Sequence, residues 1–108
     1  MTTFDNREQA FENKFARDEE MNFRITARRN RLLGGWAAEK MRLTAAETDS
    51  YSKSVVQAEF EENGDEDVIR KLLGDITAAG VQTDEAEVRA ALSMFDTEAR
   101  RQLMEAKS

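Results

Sequence analysis

The sequence predicts an all-α protein, a four-helix bundle with a mobile or projecting N-terminal helical arm. Three observations carry that prediction. The 108 residues contain no proline and only five glycines, so little interrupts a helix. Apolar residues recur at three- and four-residue spacing in four segments, and no stretch of useful length alternates with period 2. Helix start and stop signals fall between those segments.

The first segment, residues 4–33, holds no glycine and is rich in Glu, Arg, Ala and Phe, which is good helix composition. Phe4, Phe11 and Phe15 share one face, spaced seven and four. Met21, Ile25, Leu32 and Trp36 share a second face, rotated by roughly 70° from the first at 100° per residue. The stripe therefore does not run on smoothly, and Asp18, Glu19 and Glu20 mark the changeover. A helix whose rear half packs into a bundle while its front half projects would show this break.

Thr44-Ala-Ala-Glu47 reads as a capping box that opens a second helix running to about Glu62. Asn63-Gly64 closes it, with Gly64 expected in a left-handed conformation. Asp65 is expected to cap a third helix, with Glu66 and Asp67 in its first turn facing the positive dipole end. Gly80 ends the third helix, and Thr83 or Asp84 caps a fourth that runs to near Lys107. Tyr51, Val55 and Ala58 supply the packing side of the second helix, with Val56 and Phe60 on another side. The third offers Val68, Ile69, Leu72, Leu73 and Ile76 over a wide arc; the fourth offers Val88, Leu92, Phe95, Ala99 and Leu103 in one stripe.

Composition narrows function. The net charge is −6, and the chain has neither cysteine nor histidine. That removes disulfides, a thiol nucleophile, thiolate metal sites, the usual general base and the commonest transition-metal ligand. Serine and threonine occur without a recognisable base beside them, so an enzyme is not expected and no catalytic residue is assigned. The first 20 residues hold no apolar run, so no signal peptide is expected, and no stretch of about 18 apolar residues exists to span a membrane. Residues 1–43 are slightly basic and residues 44–108 are strongly acidic, a balance that disfavours broad contact with nucleic acid. A membrane-surface role for residues 1–19 is disfavoured too, because their acids outnumber their bases.

Three features invite a site. Arg28, Arg29 and Arg31 form a basic cluster that would admit phosphate, but no glycine-rich loop or aromatic platform accompanies them. A solvated face pairing with the acidic body explains the cluster as well. Glu59, Glu61, Glu62, Asp65, Glu66 and Asp67 lack the spacing of a calcium loop, so no metal site is expected. The Phe4, Phe11 and Phe15 stripe would ordinarily be core. Here it precedes a complete set of four packing faces and is dense in charge, with 13 charged residues among the first 31. Such a segment buries too little alone to offset its ordering entropy of about 1–2 kcal/mol per residue. Apolar anchors ringed by charge are what a helix-in-groove ligand needs, with Arg7 and Lys14 facing acidic rims and Glu8 and Glu12 facing basic ones.

The opening Met1-Thr-Thr-Phe-Asp-Asn-Arg-Glu, the run Glu20-Met-Asn-Phe, the run Ala27-Arg-Arg-Asn-Arg-Leu-Leu-Gly-Gly-Trp-Ala-Ala and the later Glu66-Asp-Val-Ile-Arg-Lys-Leu together resemble the zeta subunit family of alphaproteobacterial F-type ATP synthases. The resemblance spans essentially the whole chain and is strongest over residues 1–42. It implies a bundle of residues 20–108 preceded by an inhibitory arm of residues 1–19. It further implies inhibition of ATP hydrolysis, with the arm becoming helical as it enters a catalytic α/β interface of the synthase head, reaching the central rotor stalk and blocking hydrolytic rotation. The mitochondrial inhibitor protein does a similar job with a different fold. Phe4, Asp5, Arg7, Glu8, Phe11, Lys14 and Phe15 are the partner-binding positions the resemblance carries over. The expectation is a cytoplasmic protein, monomeric when free and bound at the cytoplasmic face of the inner membrane when engaged; no cofactor is expected, and the Arg28, Arg29 and Arg31 cluster leaves room only for weak, regulatory nucleotide binding. The alternative is a small acidic adaptor or nucleotide-responsive protein acting through Arg28, Arg29 and Arg31.

Overall fold

In a computed structural model the chain forms four helices: α1 (Thr3–Lys40), α2 (Ala45–Glu61), α3 (Asp65–Ala78) and α4 (Glu85–Lys107). The structure describes the backbone of residues 3–61 and 64–107, and the side chains of residues 18–60 and 64–105. There is no strand among the described residues. The molecule measures 66 × 27 × 22 Å along its principal axes.

Helix α1 is the spine, in contact with all three others and most extensively with α2 and α4. Both run antiparallel to it. Arg31 meets Asp49 and Arg29 meets Glu59 on α2, while Lys40 meets Glu87 and Arg28 meets Gln102 on α4. Short connections force that arrangement. The core gathers around the C-terminal half of α1: Leu33 and Ala37 pack with Val55, Val68, Ile69, Leu72, Ile76, Val88 and Ala91. Leu33, Leu72 and Ile76 are fully buried, each contributing about 2 kcal/mol. Trp36, Tyr51, Leu92 and Phe95 pack against this cluster from its half-buried edge.

The buried line of α1 differs from the expected one. It steps by fours through Ile25, Arg29, Leu33 and Ala37, and takes in Asn30 and Ala38. Met21, Leu32 and Trp36 sit only half-buried beside it. The line is hard to see in sequence because an arginine and an asparagine occupy its middle.

The helix ends explain the loops. The Thr44 N–H donates to the Glu47 carboxylate at 2.8 Å and the Glu47 N–H donates to the Thr44 hydroxyl at 3.2 Å, a reciprocal capping box. Asp84 rather than Thr83 caps α4, accepting from the Glu87 N–H at 2.8 Å. Helix α3 closes in a Schellman turn: the Gly80 N–H donates to Thr77 and the Val81 N–H to Ile76, with Gly80 at φ 81°. Helix α1 closes with the same pair of bonds, Arg42 to Glu39 and Leu43 to Ala38, but here Arg42 holds the left-handed position at φ 59°.

Two expectations at the α2–α3 turn are corrected. Gly64 has a positive φ of 142°, yet with ψ 150° it lies in the mirror-extended region and stands at the N-cap of α3. Asp65 is not the cap, and no side chain caps α3. Its carboxylate turns to Arg29 instead, because a buried guanidinium is a stronger claim on an aspartate than an exposed backbone N–H.

Candidate functional site

Helices α2 and α4 end beside residues 19–28 of α1, as shown by the contacts Phe23–Phe60 and Arg28–Gln102. The backbone of α1 runs on as helix to Thr3, a further 24 Å or so at 1.5 Å per residue. Phe4, Asp5, Arg7, Glu8, Phe11, Lys14 and Phe15 all fall on that length. Their side chains lie outside the described residues, and so does the expected mobility of the arm.

Where α1 enters the bundle, Arg29 organises the surroundings. Its position four residues after Ile25 and four before Leu33 turns it inward, and its side chain is 5% exposed. Its Nη2 donates to Glu59 Oε1 at 2.6 Å and to Asp65 Oδ1 at 3.0 Å, and its Nε donates to Asn30 Oδ1 at 3.1 Å. Nη1 lies 4.0 Å from Asp96 Oδ1. Asn30 Nδ2 also donates to Glu59 Oε1, at 3.2 Å, and the Gly64 N–H donates to the other oxygen of Glu59 at 3.2 Å. One guanidinium on α1 thus draws together the end of α2, the start of α3 and the middle of α4. A planar fork of five donors suits this task, which a lysine could not perform.

The three arginines read as one cluster do not form one face. Arg28 reaches α4, donating to Gln102 at 3.1 Å. Arg31, about half exposed, reaches α2 and donates to Asp49 at 3.2 Å. Arg29, expected on a solvated face, is buried between them in its ion pairs. Burial of an arginine requires partners on several sides, and the acidic residues of the neighbouring helices provide them. Phosphate at Arg29 would have to displace carboxylates already in place.

The acidic run at the α2–α3 turn is distributed in the same way. Glu59 and Asp65 face Arg29, Glu66 makes a two-point pair with Arg89 at 3.0 and 2.6 Å, and Asp67 pairs with Arg70 at 3.1 Å. The hydrogen bonds from Arg89 hold the Glu66 carboxyl below its ordinary range. No group of three potential metal ligands occurs among the described residues. Neither is any helix among them long and apolar enough to cross a membrane.

Away from the hub, Tyr51 on α2 donates its hydroxyl to Asp75 on α3 at 2.8 Å, and burial, followed by the nearby Asp75 carboxylate, pushes its phenol well above the usual tyrosine range. Lys40 lies 5.2 Å over the Trp36 ring and bridges to Glu87 at 2.9 Å. The hydrogen bond from Lys40, with another from Thr83, holds the Glu87 carboxyl low. These groups fasten helices together.

Sequence reasoning passed over one feature. Phe23 and Phe60 stack with centroids 4.9 Å apart and ring planes at 42°, each ring more than half exposed. They flank a groove of about 440 Å³ between α1 and α2, whose lining includes Glu19, Ala27, Val56 and Glu59. Exposed aromatic pairs leave no periodic signature, and Phe60 was legible only as an apolar residue off the main stripe of its helix.

Comparison with known proteins adds what geometry lacks. A structure solved by NMR in solution is 44% identical and superposes with a TM-score of 0.70, covering 80% of this chain and 98% of its own. The comparison with curated proteins gives no match. The family described as ATPase inhibitor subunit zeta matches residues 1–102. The chain belongs to the ATPase inhibitor subunit zeta family.

Proposed function

We propose that this chain inhibits ATP hydrolysis by an F-type ATP synthase by inserting residues 1–19 into a catalytic α/β interface of the head, far enough to reach the rotor stalk. Residues 20–108 then act as a stop that keeps the arm from passing through. The observation that carries this reading is the family match over residues 1–102, which includes the arm. The architecture fits the mechanism. A rod can block rotation only if its outer end is anchored, and the rear of α1 is anchored by Arg29, by Leu33 and Ala37 in the core, and by contact with all three other helices. No step of bond chemistry is required of the chain, so the role is regulatory and non-catalytic, exercised without a cofactor from the cytoplasmic face of the membrane by a chain that is monomeric when free.

In this reading Phe4, Phe11 and Phe15 are the apolar anchors, and Asp5, Arg7, Glu8 and Lys14 meet the charged rims of the interface. The test is Phe11→Ala or Phe15→Ala in an assay of ATP hydrolysis by the isolated catalytic head. Inhibition weakens at least severalfold while the melting temperature stays nearly unchanged; a collapse of the melting transition instead would make these rings core. The adaptor reading through Arg28, Arg29 and Arg31 has less support, since Arg29 is already committed to Glu59 and Asp65.

A further inference from the structure

We propose that the exposed pair Phe23–Phe60 is a second contact with the synthase head, seated on an apolar, basic-rimmed surface beside the point where the arm enters. This inference rests on the arm reading and extends it from the arm onto the bundle.

The first support is the cost of leaving these rings in water. The apolar supply is thin, yet of the three phenylalanines whose side chains are described, two stand more than half exposed and touch each other across α1 and α2. Aromatic pairs of this kind, next to a concave surface, are the side chains that dominate protein–protein contacts.

Position selects the occupant. Residue 19, the last of the arm, itself lines the groove, and Phe23 follows one helical turn later, about 6 Å along α1. Helix α1 is continuous through this point. A partner that holds the arm up to residue 19 therefore brings its own surface against Phe23 and Phe60. Phe23 is also rotated by roughly 80° from Phe15 around the helix, so it meets a different wall from the one that holds the arm's stripe. Charge gives the chemistry of that wall. Glu19 lines the groove, and its chain neighbours Asp18 and Glu20, the latter paired with Arg24 at 2.8 Å, are exposed beside it, an acidic turn that calls for lysine or arginine around an apolar patch on the partner.

The experiment measures binding of the full-length chain to the isolated catalytic head, immobilised, over a range of salt concentrations. A variant carrying Phe23→Ala and Phe60→Ala is expected to bind about tenfold more weakly, with a melting temperature within a few degrees of wild type. A variant carrying Asp18→Asn and Glu19→Gln is expected to bind more weakly at low salt and to flatten the salt dependence. Wild-type affinity in the phenylalanine variant overturns the proposal. So does a free wild-type chain that sediments as a dimer which this variant dissociates, because the patch would then face a second copy. If the phenylalanine variant melts far below wild type, the charge variant decides, and an unaltered salt dependence overturns the proposal. The arm reading is scored separately by Phe11→Ala and Phe15→Ala: inhibition lost there, with binding intact in the Phe23/Phe60 variant, removes this second contact alone. A wild-type chain that does not bind the head removes both.

Discussion

Arg29 on α1 and Glu59 on α2 meet at 2.6 Å with side chains only 5% and 15% exposed, the most buried ion pair among the described residues. Removing the guanidinium would leave Glu59, poorly solvated, without its cation, together with the less buried Asp65, while Asp96 keeps Arg100 at 3.0 Å. Arg29→Ala is therefore expected to destabilise the bundle by about 3 kcal/mol, near the low end for a broken buried pair. For a domain of this size that lowers the melting temperature by roughly 15 °C. Arg29→Lys falls between, since a compact ammonium keeps the charge but lacks the planar fork that reaches Glu59 and Asp65 from Nη2 and Asn30 from Nε. Thermal and urea unfolding measure both.

Gly34 marks a close approach of α1 and α2. A Cβ there would lie 2.7 Å from the Cα of Ser52, which is backbone and cannot swing away. Gly34→Ala should push the helices apart and cost about 1–3 kcal/mol, the usual penalty for overpacking. At Gly35 a Cβ meets nothing within 4 Å. Gly35→Ala should raise stability by up to about 1 kcal/mol, the gain of alanine over glycine inside a helix. Opposite signs at adjacent glycines, read from urea midpoints, would verify the crossing.

Arg42 sits at φ 59°, a conformation that costs an L-residue about 1–2 kcal/mol. Glycine adopts it without that strain but loses more entropy on folding. Arg42→Gly is expected to stabilise the fold by a net of about 0.5–1 kcal/mol, within the range for substitutions that match the backbone they enter. Denaturant unfolding measures the gain.

Acid should loosen this protein in a way neutral pH does not. Thr44 hydrogen bonds lower the Glu47 carboxyl, Lys53 lowers Asp49, Arg89 lowers Glu66, and Arg101 lowers Glu98. A carboxyl lowered in the folded state contributes stability above its unfolded value, and that stability is lost as pH falls through the folded value. Without histidine nothing of this kind titrates near neutrality. The urea midpoint should be flat from about pH 6 to 8 and decline gradually below about pH 5. Glu47, Asp49 and Glu66 are exposed and Glu98 is half-buried, so the decline is spread over several small steps.

Much of the fold was legible because it is carried by local signals. Thr44 and Glu47, Asp84, and Gly80 each announce a helix end through chemistry contained within a few residues. The core faces of α3 and α4 follow their spacing. What escaped depends on tertiary partners. Arg42 holds a left-handed position that no glycine advertises. Asp65 looks like a cap until Arg29 is seen beside it, and Arg29 looks solvated until carboxylates from three other helices are placed around it. The proposed anchors Phe4, Phe11 and Phe15 rest on their pattern and on family resemblance, since in the proposed mechanism their contacts lie on another molecule. Phe23 and Phe60 come together only when α1 and α2 pack.

ATP hydrolysis by the isolated catalytic head, titrated with the full chain and with residues 20–108 alone, tests the inhibitory mechanism most directly. The full chain should suppress hydrolysis, and the shortened chain should lose most of that effect while melting within a few degrees of the full one. Equal inhibition by the two would contradict an inserted arm and move the blocking surface onto the bundle.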